Sequence, residues 1–333
     1  MEPTFNDYVA LIYNRFEAFV QSSDDVSKLG KPYVYQNQSM IVFFIWMQFK
    51  KMYKFKTQWR WLKQHPESLS VLAWKAVPHR STLSRRYKAL YDVIQAFSAF
   101  LGQESEALGV EMSTKHLNED QSLFKAQGSV WHQSDRKEGR IPEKLRNLDT
   151  DATWKKSGYH GWVYGYGIHL TTTQAGFPVL MEVETATFSE KQAIERKEAQ
   201  TLHQIKPETL CGDDAYTKAM RIRNWAKQEV ILVTLALRWR KGKYAKAYRN
   251  FIKTQPDIVR ILKKRKTAIE PIFDLVSQLL GTNGKQKQLF RQGIENVRTH
   301  LGLSVLSLQI AMITNHIWNM PFRTISHIKG AFA

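Results

Sequence analysis

Apolar positions recur at helical spacing through the first hundred residues, and the pattern turns towards alternation after about residue 105. The spacing predicts helices over about 4–21, 36–60, 67–76 and 81–100, with Pro66 separating the second from the third. The stretch around Pro78 reads as a short helix, a turn, and a second helix N-capped by Ser81. Leu83, Tyr87, Leu90 and Ile94 form the apolar stripe of that second helix, and Arg85, Arg86 and Lys88 lie off it. This is the outline of a helix-turn-helix with a basic second helix; two packed helices with a solvated basic face have the same pattern.

Residues 115–127 can contain a strand, and 128–158 read as polar and irregular. GWVYGYGIHLTTT and FPVLMEVETAT read as two strands of a hairpin joined through Gln174, Ala175 and Gly176. A helix from Ser189 to His203, a strand over Pro207–Leu210, a helix from Tyr216 to Gln228 and a buried strand over Val230–Leu235 follow. Two further helices are expected over about 268–281 and 287–318. The fold class is therefore α/β, a mixed sheet flanked by helices and preceded by an all-helical domain. Boundaries are expected at 1–104, 105–320 and a C-terminal tail, 321–333.

Charge narrows the partners. The chain has 333 residues and a net charge of +19. From Lys50 to Lys88 there are eleven Lys/Arg and one acid, Glu67; from Arg238 to Lys266 there are twelve and one acid, Asp257. These two segments exceed the whole net charge, so the rest is near neutral, and two surfaces touching phosphates are expected. A single cysteine, Cys211, excludes a disulfide framework or a cysteine zinc finger and reads as a buried apolar residue. The strongest early apolar run, Ile41–Met47, is too short for a span, which needs about 20 residues. The N-terminus is acidic without an apolar core, so no signal peptide and a cytosolic setting are expected.

A basic protein with a mixed sheet invites phosphoryl transfer on nucleic acid. That chemistry can use two Mg²⁺ ions held by carboxylates about 4 Å apart. Asp213 follows a strand and precedes a helix, at a carboxyl edge of the sheet, where α/β sites lie. It could equally N-cap that helix, as could Asp214. Glu270 follows Lys263, Lys264, Arg265 and Lys266 and precedes Pro271. Thr267 to Glu270 fits a capping box at a helix start, which alone would explain the residue.

At these residues the chain resembles the DDE-type transposases of bacterial insertion sequences. Gly212-Asp213-Asp214-Ala215-Tyr216 resembles their G-D-x-x-Y box, and Arg265 to Phe273 resembles R-x-x-x-I-E-x-x-F. Asp120-Gln121-Ser122, the tract from Val130 to Leu170, and Glu295 to Arg298 with the apolar helix after it extend the likeness over about 115–318. The resemblance implies an RNase H-like catalytic domain with Asp120, Asp213 and Glu270 as catalytic, metal-binding residues. It also implies Mg²⁺, with Mn²⁺ possible as a substitute, cleavage at transposon ends and joining to target DNA. The implied partners are double-stranded inverted repeats and target DNA, with a homodimer at synapsis, in the bacterial cytoplasm on the nucleoid. The DNA contacts expected are Arg80, Arg85, Arg86, Lys88, Lys263, Lys264, Arg265 and Lys266.

The chain departs from many relatives, which place a Tyr seven and an Arg four residues before the Glu and a Lys about seven after it. Lys263, Lys266 and Ser277 stand there, and Arg265 could take over part of the grip on DNA. Asp149 and Asp151 also fit the pattern of the first Asp; Asp120 is preferred because a strand holds a ligand more rigidly than a loop. Against it, Asn118 and Glu119 make its strand polar. His132, His160 and His169 read as packing or hydrogen-bonding residues. Trp131, Trp154 and Trp162 read as core, with base stacking as the alternative. A non-catalytic DNA-binding descendant and a nuclease or resolvase on the same scaffold are the competing functions.

Overall fold

Among the described residues six α-helices precede the first strand: α1 (Phe5–Ser22), α2 (Asn37–Phe49), α3 (Phe55–Gln64), α4 (Ser68–Val71), α5 (Arg80–Lys88) and α6 (Tyr91–Gln103). The computed structural model describes residues 2–22, 34–109, 112–143, 145–158, 161–234, 242–282 and 287–333. His160, Arg238, Arg240 and Lys241 lie outside the described residues. The helix expected over 36–60 is two. Lys51 takes a left-handed backbone (φ 56), and the Met52 N–H returns to the Met47 carbonyl at 2.8 Å, which closes α2. The helix expected over 81–100 divides at Ala89 and Leu90 into α5 and α6. Its cap is His79, whose Nδ1 accepts the Ser81 N–H at 3.3 Å, so Ser81 lies inside the helix. Leu83, Tyr87, Leu90 and Ile94 are all buried, as the stripe requires.

The second part runs β1 (His116–Lys125), α7 (Gln133–Lys137), β2 (Thr153–Ser157), β3 (Gly161–Thr173), β4 (Pro178–Thr185), α8 (Glu190–Ala199), β5 (Thr209–Cys211), α9 (Ala219–Ala226) and β6 (Ile231–Val233). It ends with α10 (Lys243–Thr254), α11 (Pro256–Leu279), α12 (Ile294–Ile317) and α13 (Ser326–Ala331). The six-stranded sheet has the order β2-β3-β1-β5-β6, and β4 pairs with β3. β1 is antiparallel to β3 and parallel to β5, and β5 is parallel to β6, so the sheet is mixed. The hairpin at Gln174–Gly176 forms, with Gly176 at φ +90. β2 lies in the tract read as irregular, because its Lys155 and Lys156 hide the alternation.

Two corrections concern α11. The helix expected from 268 begins at Pro256, so Thr267 to Glu270 lies mid-helix and no capping box forms there. Pro271 sits in the interior, where it cannot donate to the Thr267 carbonyl. Arg323 Nη1 donates to that carbonyl instead at 3.2 Å, and Arg323 Nε reaches the Ala175 carbonyl at 2.8 Å. The lost backbone bond is thus replaced from a distant part of the chain.

One core spans both parts. α12 is apolar all round, is long enough to cross a membrane, and has 94% of its apolar window buried inside the protein. It packs on α6, α11 and β4. α6 meets β4 closely: a Cβ at Gly102 would lie 2.5 Å from the Val179 carbonyl oxygen. The last residues close against α1, with Phe332 packed on Phe5 and Tyr8.

Candidate active site

Strand β1 is central, and its side chains alternate between two packed faces. On one face Glu119 is buried with Lys197 of α8, Nζ to Oε1 2.5 Å, and accepts the Thr171 hydroxyl at 2.5 Å. Burial pushes the Glu119 pKa up and Lys197 opposes that rise. Gln121 bonds His169 across the β1–β3 pair and accepts from Lys155. Asn118, on the opposite face, donates to the Thr173 carbonyl at 3.3 Å. A polar strand can therefore occupy the middle of the sheet, because its polar groups are paired.

On the other face Asp120 meets α11. Arg265 Nη1 lies 2.9 Å from Asp120 Oδ2, and the Gln121 N–H donates to Oδ1 at 2.9 Å. Burial pushes the Asp120 pKa up; Arg265 opposes the rise, and the nearby charge of Asp213 adds to it. Asp213 follows β5, the parallel neighbour of β1. Its Oδ1 caps the short 3₁₀ turn Asp214–Tyr216 by accepting the Ala215 N–H at 2.7 Å. Capping uses one oxygen of Asp213, and the residue also lines a cleft. That cleft, about 570 Å³, is lined by Asp213, Arg249, Lys253, Lys263, Arg265 and Lys266 among others.

Glu270 lies on α11, exposed, beyond Arg265. Lys287, which sequence reasoning did not single out, is a further cation here. It donates to Ser122 Oγ at 2.9 Å, and its Nζ lies near the faces of Phe124 and Phe273. Burial pushes the Lys287 pKa down, against the opposing charges of Asp274, Asp120 and Glu270. Among the described residues no group of three or more His, Cys, Asp or Glu gathers closely enough to hold a metal ion. The structure thus brings Asp120 and Asp213 together and places Arg265 on the first of them, with Glu270 flanking on α11.

Asp149 and Asp151 have other work. Asp149 is buried, accepts the Tyr166 hydroxyl at 2.8 Å and takes the Gly293 N–H at 3.1 Å. Asp151 takes the Ile294 N–H at 2.9 Å. Together they satisfy the first donors of α12, where a carboxylate also suits the helix dipole.

A model of the family described as transposase DDE domain matches residues 120–321, more than half of the chain. The chain belongs to the DDE transposase family. The matched region opens at Asp120 on β1, carries Asp213 and Glu270, and closes just beyond α12. The family and the fold expected of it, a mixed sheet flanked by helices behind an all-helical region, agree with the architecture above. No curated protein and no solved structure matches the chain.

The expected DNA-facing residues of this transposase separate by exposure. Arg80, Arg85, Lys263, Lys264 and Lys266 are exposed. Arg86 donates to the Tyr35 carbonyl at 3.3 Å and to Asn37 Oδ1 at 2.5 Å, so it holds α2 to α5. Lys88 Nζ pairs with Glu295 at 3.1 Å. His169 is buried, and burial holds its pKa well below the usual range. Trp131 and Trp154 pack on the core, while Trp162 is exposed. Burial pushes the Cys211 thiol up to about 12, so it is no nucleophile at neutral pH.

Proposed function

We propose that this transposase cuts the ends of a DNA element and joins them to target DNA by phosphoryl transfer. Water attacks the phosphodiester at the element's end and frees a 3′-hydroxyl. That hydroxyl then attacks a target phosphodiester and displaces a 3′-oxygen. The observation that carries this reading is the juxtaposition of Asp120 and Asp213 at adjacent parallel strands, within a match to the family.

The charge of Asp213 makes Asp120 harder to ionise, which a cation between them would offset, and Arg265 stands in for one at Asp120. Asp120 and Asp213 would hold Mg²⁺ or Mn²⁺, which polarises the phosphoryl oxygens when bound; Glu270, which does not gather with them here, would complete the set only once Arg265 leaves Asp120. Arg265, released from Asp120, and Lys263, Lys264 and Lys266 would hold the DNA phosphates over the cleft. Lys287 would balance the charge of the carboxylates from below. Two copies would bridge two ends of one element. Incubation of the protein with DNA carrying the element's terminal repeats and Mn²⁺ tests the reading. Nicked ends and joined products are expected; nicking without joining would favour a nuclease, and neither would favour a non-catalytic binder.

A further inference from the structure

A groove of about 940 Å³ runs between the α2–α3 turn, the first half of α5, and the segment 290–296 that leads into α12. Five exposed cations line it, Lys51, Lys54, Lys56, Arg80 and Arg85, above the buried Arg291. All five are exposed and none is in an ion pair among the described residues, and no acid lines the groove. An uncompensated row of like charges costs folding free energy, so a polyanion that neutralises it binds with the release of counterions.

The floor is rigid. Tyr53 stacks on Phe290 with centroids 4.6 Å apart and planes 2° apart. The Arg291 guanidinium lies 4.4 Å from the ring centroids of both Phe55 and Tyr87. Arg291 Nε and Asn296 Oδ1 are buried without a hydrogen-bond partner, and both residues line the groove. Lys51 holds the left-handed position that ends α2, where glycine is the usual residue. A strained backbone that carries a charge into a basic groove points to a function for that charge.

We propose that this groove binds the sugar–phosphate backbone of DNA, and that α5 forms its wall rather than reading base edges. The inference rests on the DNA reading above and gives the helical region a specific part in it. α5 has nine residues, its Arg86 is occupied by Asn37, and its Lys88 pairs with Glu295. Its remaining cations, Arg80 and Arg85, face the groove. Such contacts position DNA without reading sequence. The segment of the far wall, 290–296, follows closely in the chain on Lys287, which bonds Ser122 two residues from Asp120 on β1.

The test is fluorescence anisotropy of the full chain with two labelled duplexes of unrelated sequence, over a range of salt. The Lys54→Ala, Lys56→Ala, Arg85→Ala triple variant is expected to lose roughly 100-fold in affinity at 0.1 M salt, equally on both duplexes. Its salt slope should fall by about 0.9 for each cation removed. Lys51→Gly relieves the backbone while removing a charge; it should bind several-fold more weakly with an unchanged or higher thermal midpoint. Unchanged affinity and slope in the triple variant, with wild type binding normally, would overturn the groove and leave the DNA reading intact. A loss confined to one duplex would overturn the wall assignment in favour of base reading. No salt-dependent binding by the wild type would overturn both.

Discussion

Arg265 Nη1 rests 2.9 Å from Asp120 Oδ2, across 145 residues of chain. The pair joins α11 to the central strand and puts a fixed cation on a carboxylate of the proposed metal site. A metal ion and Arg265 would compete for that oxygen. Arg265→Gln should therefore tighten Mn²⁺ binding to the DNA-free protein several-fold, read by electron paramagnetic resonance or calorimetry. The same change should lower stability by about 2 kcal/mol, because Asp120 loses the partner of a largely buried pair. Weaker Mn²⁺ binding in a folded variant would show that the guanidinium is not a competitor.

The three aspartates that fit the first acidic position should separate by phenotype. Asp120→Asn should abolish Mn²⁺-dependent cleavage while DNA binding and folding remain. Asp149→Ala should instead destabilise the fold by about 1–3 kcal/mol, since it frees the Tyr166 hydroxyl and uncaps α12. Urea melts beside cleavage assays measure both. Cleavage retained by Asp120→Asn would exclude it from the site.

Lys197→Met should be severely destabilising, by about 3–5 kcal/mol, because it leaves the Glu119 charge buried and unpaired. Replacing both partners, Glu119→Leu with Lys197→Met, should recover much of the loss. Denaturant melts of the two single variants and the double variant decide it; a double variant no better than the worse single would mean that the pair is worth more than a packed apolar substitute.

His300 is buried, and burial, with Arg291 beside it, pushes its pKa down to about 3. In the unfolded chain it titrates near 6.5. The unfolded state therefore binds one more proton between those values, and the contribution of His300 to stability falls as pH drops from 6.5 towards 3. Wild type should lose about 1.4 kcal/mol per pH unit relative to His300→Gln across that window. Parallel melts at pH 6.5, 5.5 and 4.5 give the comparison, and a pH-independent difference would contradict it.

Much of this architecture was legible in the chain because periodicity and turn chemistry are local. The stripe from Leu83 to Ile94 and the hairpin around Gly176 declare themselves within a dozen residues, and the strand bearing Asp120 does so less plainly because Asn118 and Glu119 break its apolar pattern. The motifs at Asp213 and Glu270 and the density of cations in two segments are local as well, and they indicated the family and a polyanionic partner. The capping box at Thr267 misled because its spacing occurs equally well in mid-helix; the helix starts at Pro256, and Arg323 takes the carbonyl that Pro271 leaves free. Other features belong to the tertiary structure alone. Glu119 in a polar strand looks like a solvated residue until Lys197 is brought to it across 78 positions. Asp149 and Asp151 become helix caps only when α12 arrives from about 140 residues away. Whether an arginine is left exposed, as Arg85 is, or is occupied, as Arg86 is, depends on partners such as Asn37 that no local pattern announces. Burial and pairing are properties of where distant segments meet, and a hydrophobic period records only which side of its own element faces away from water.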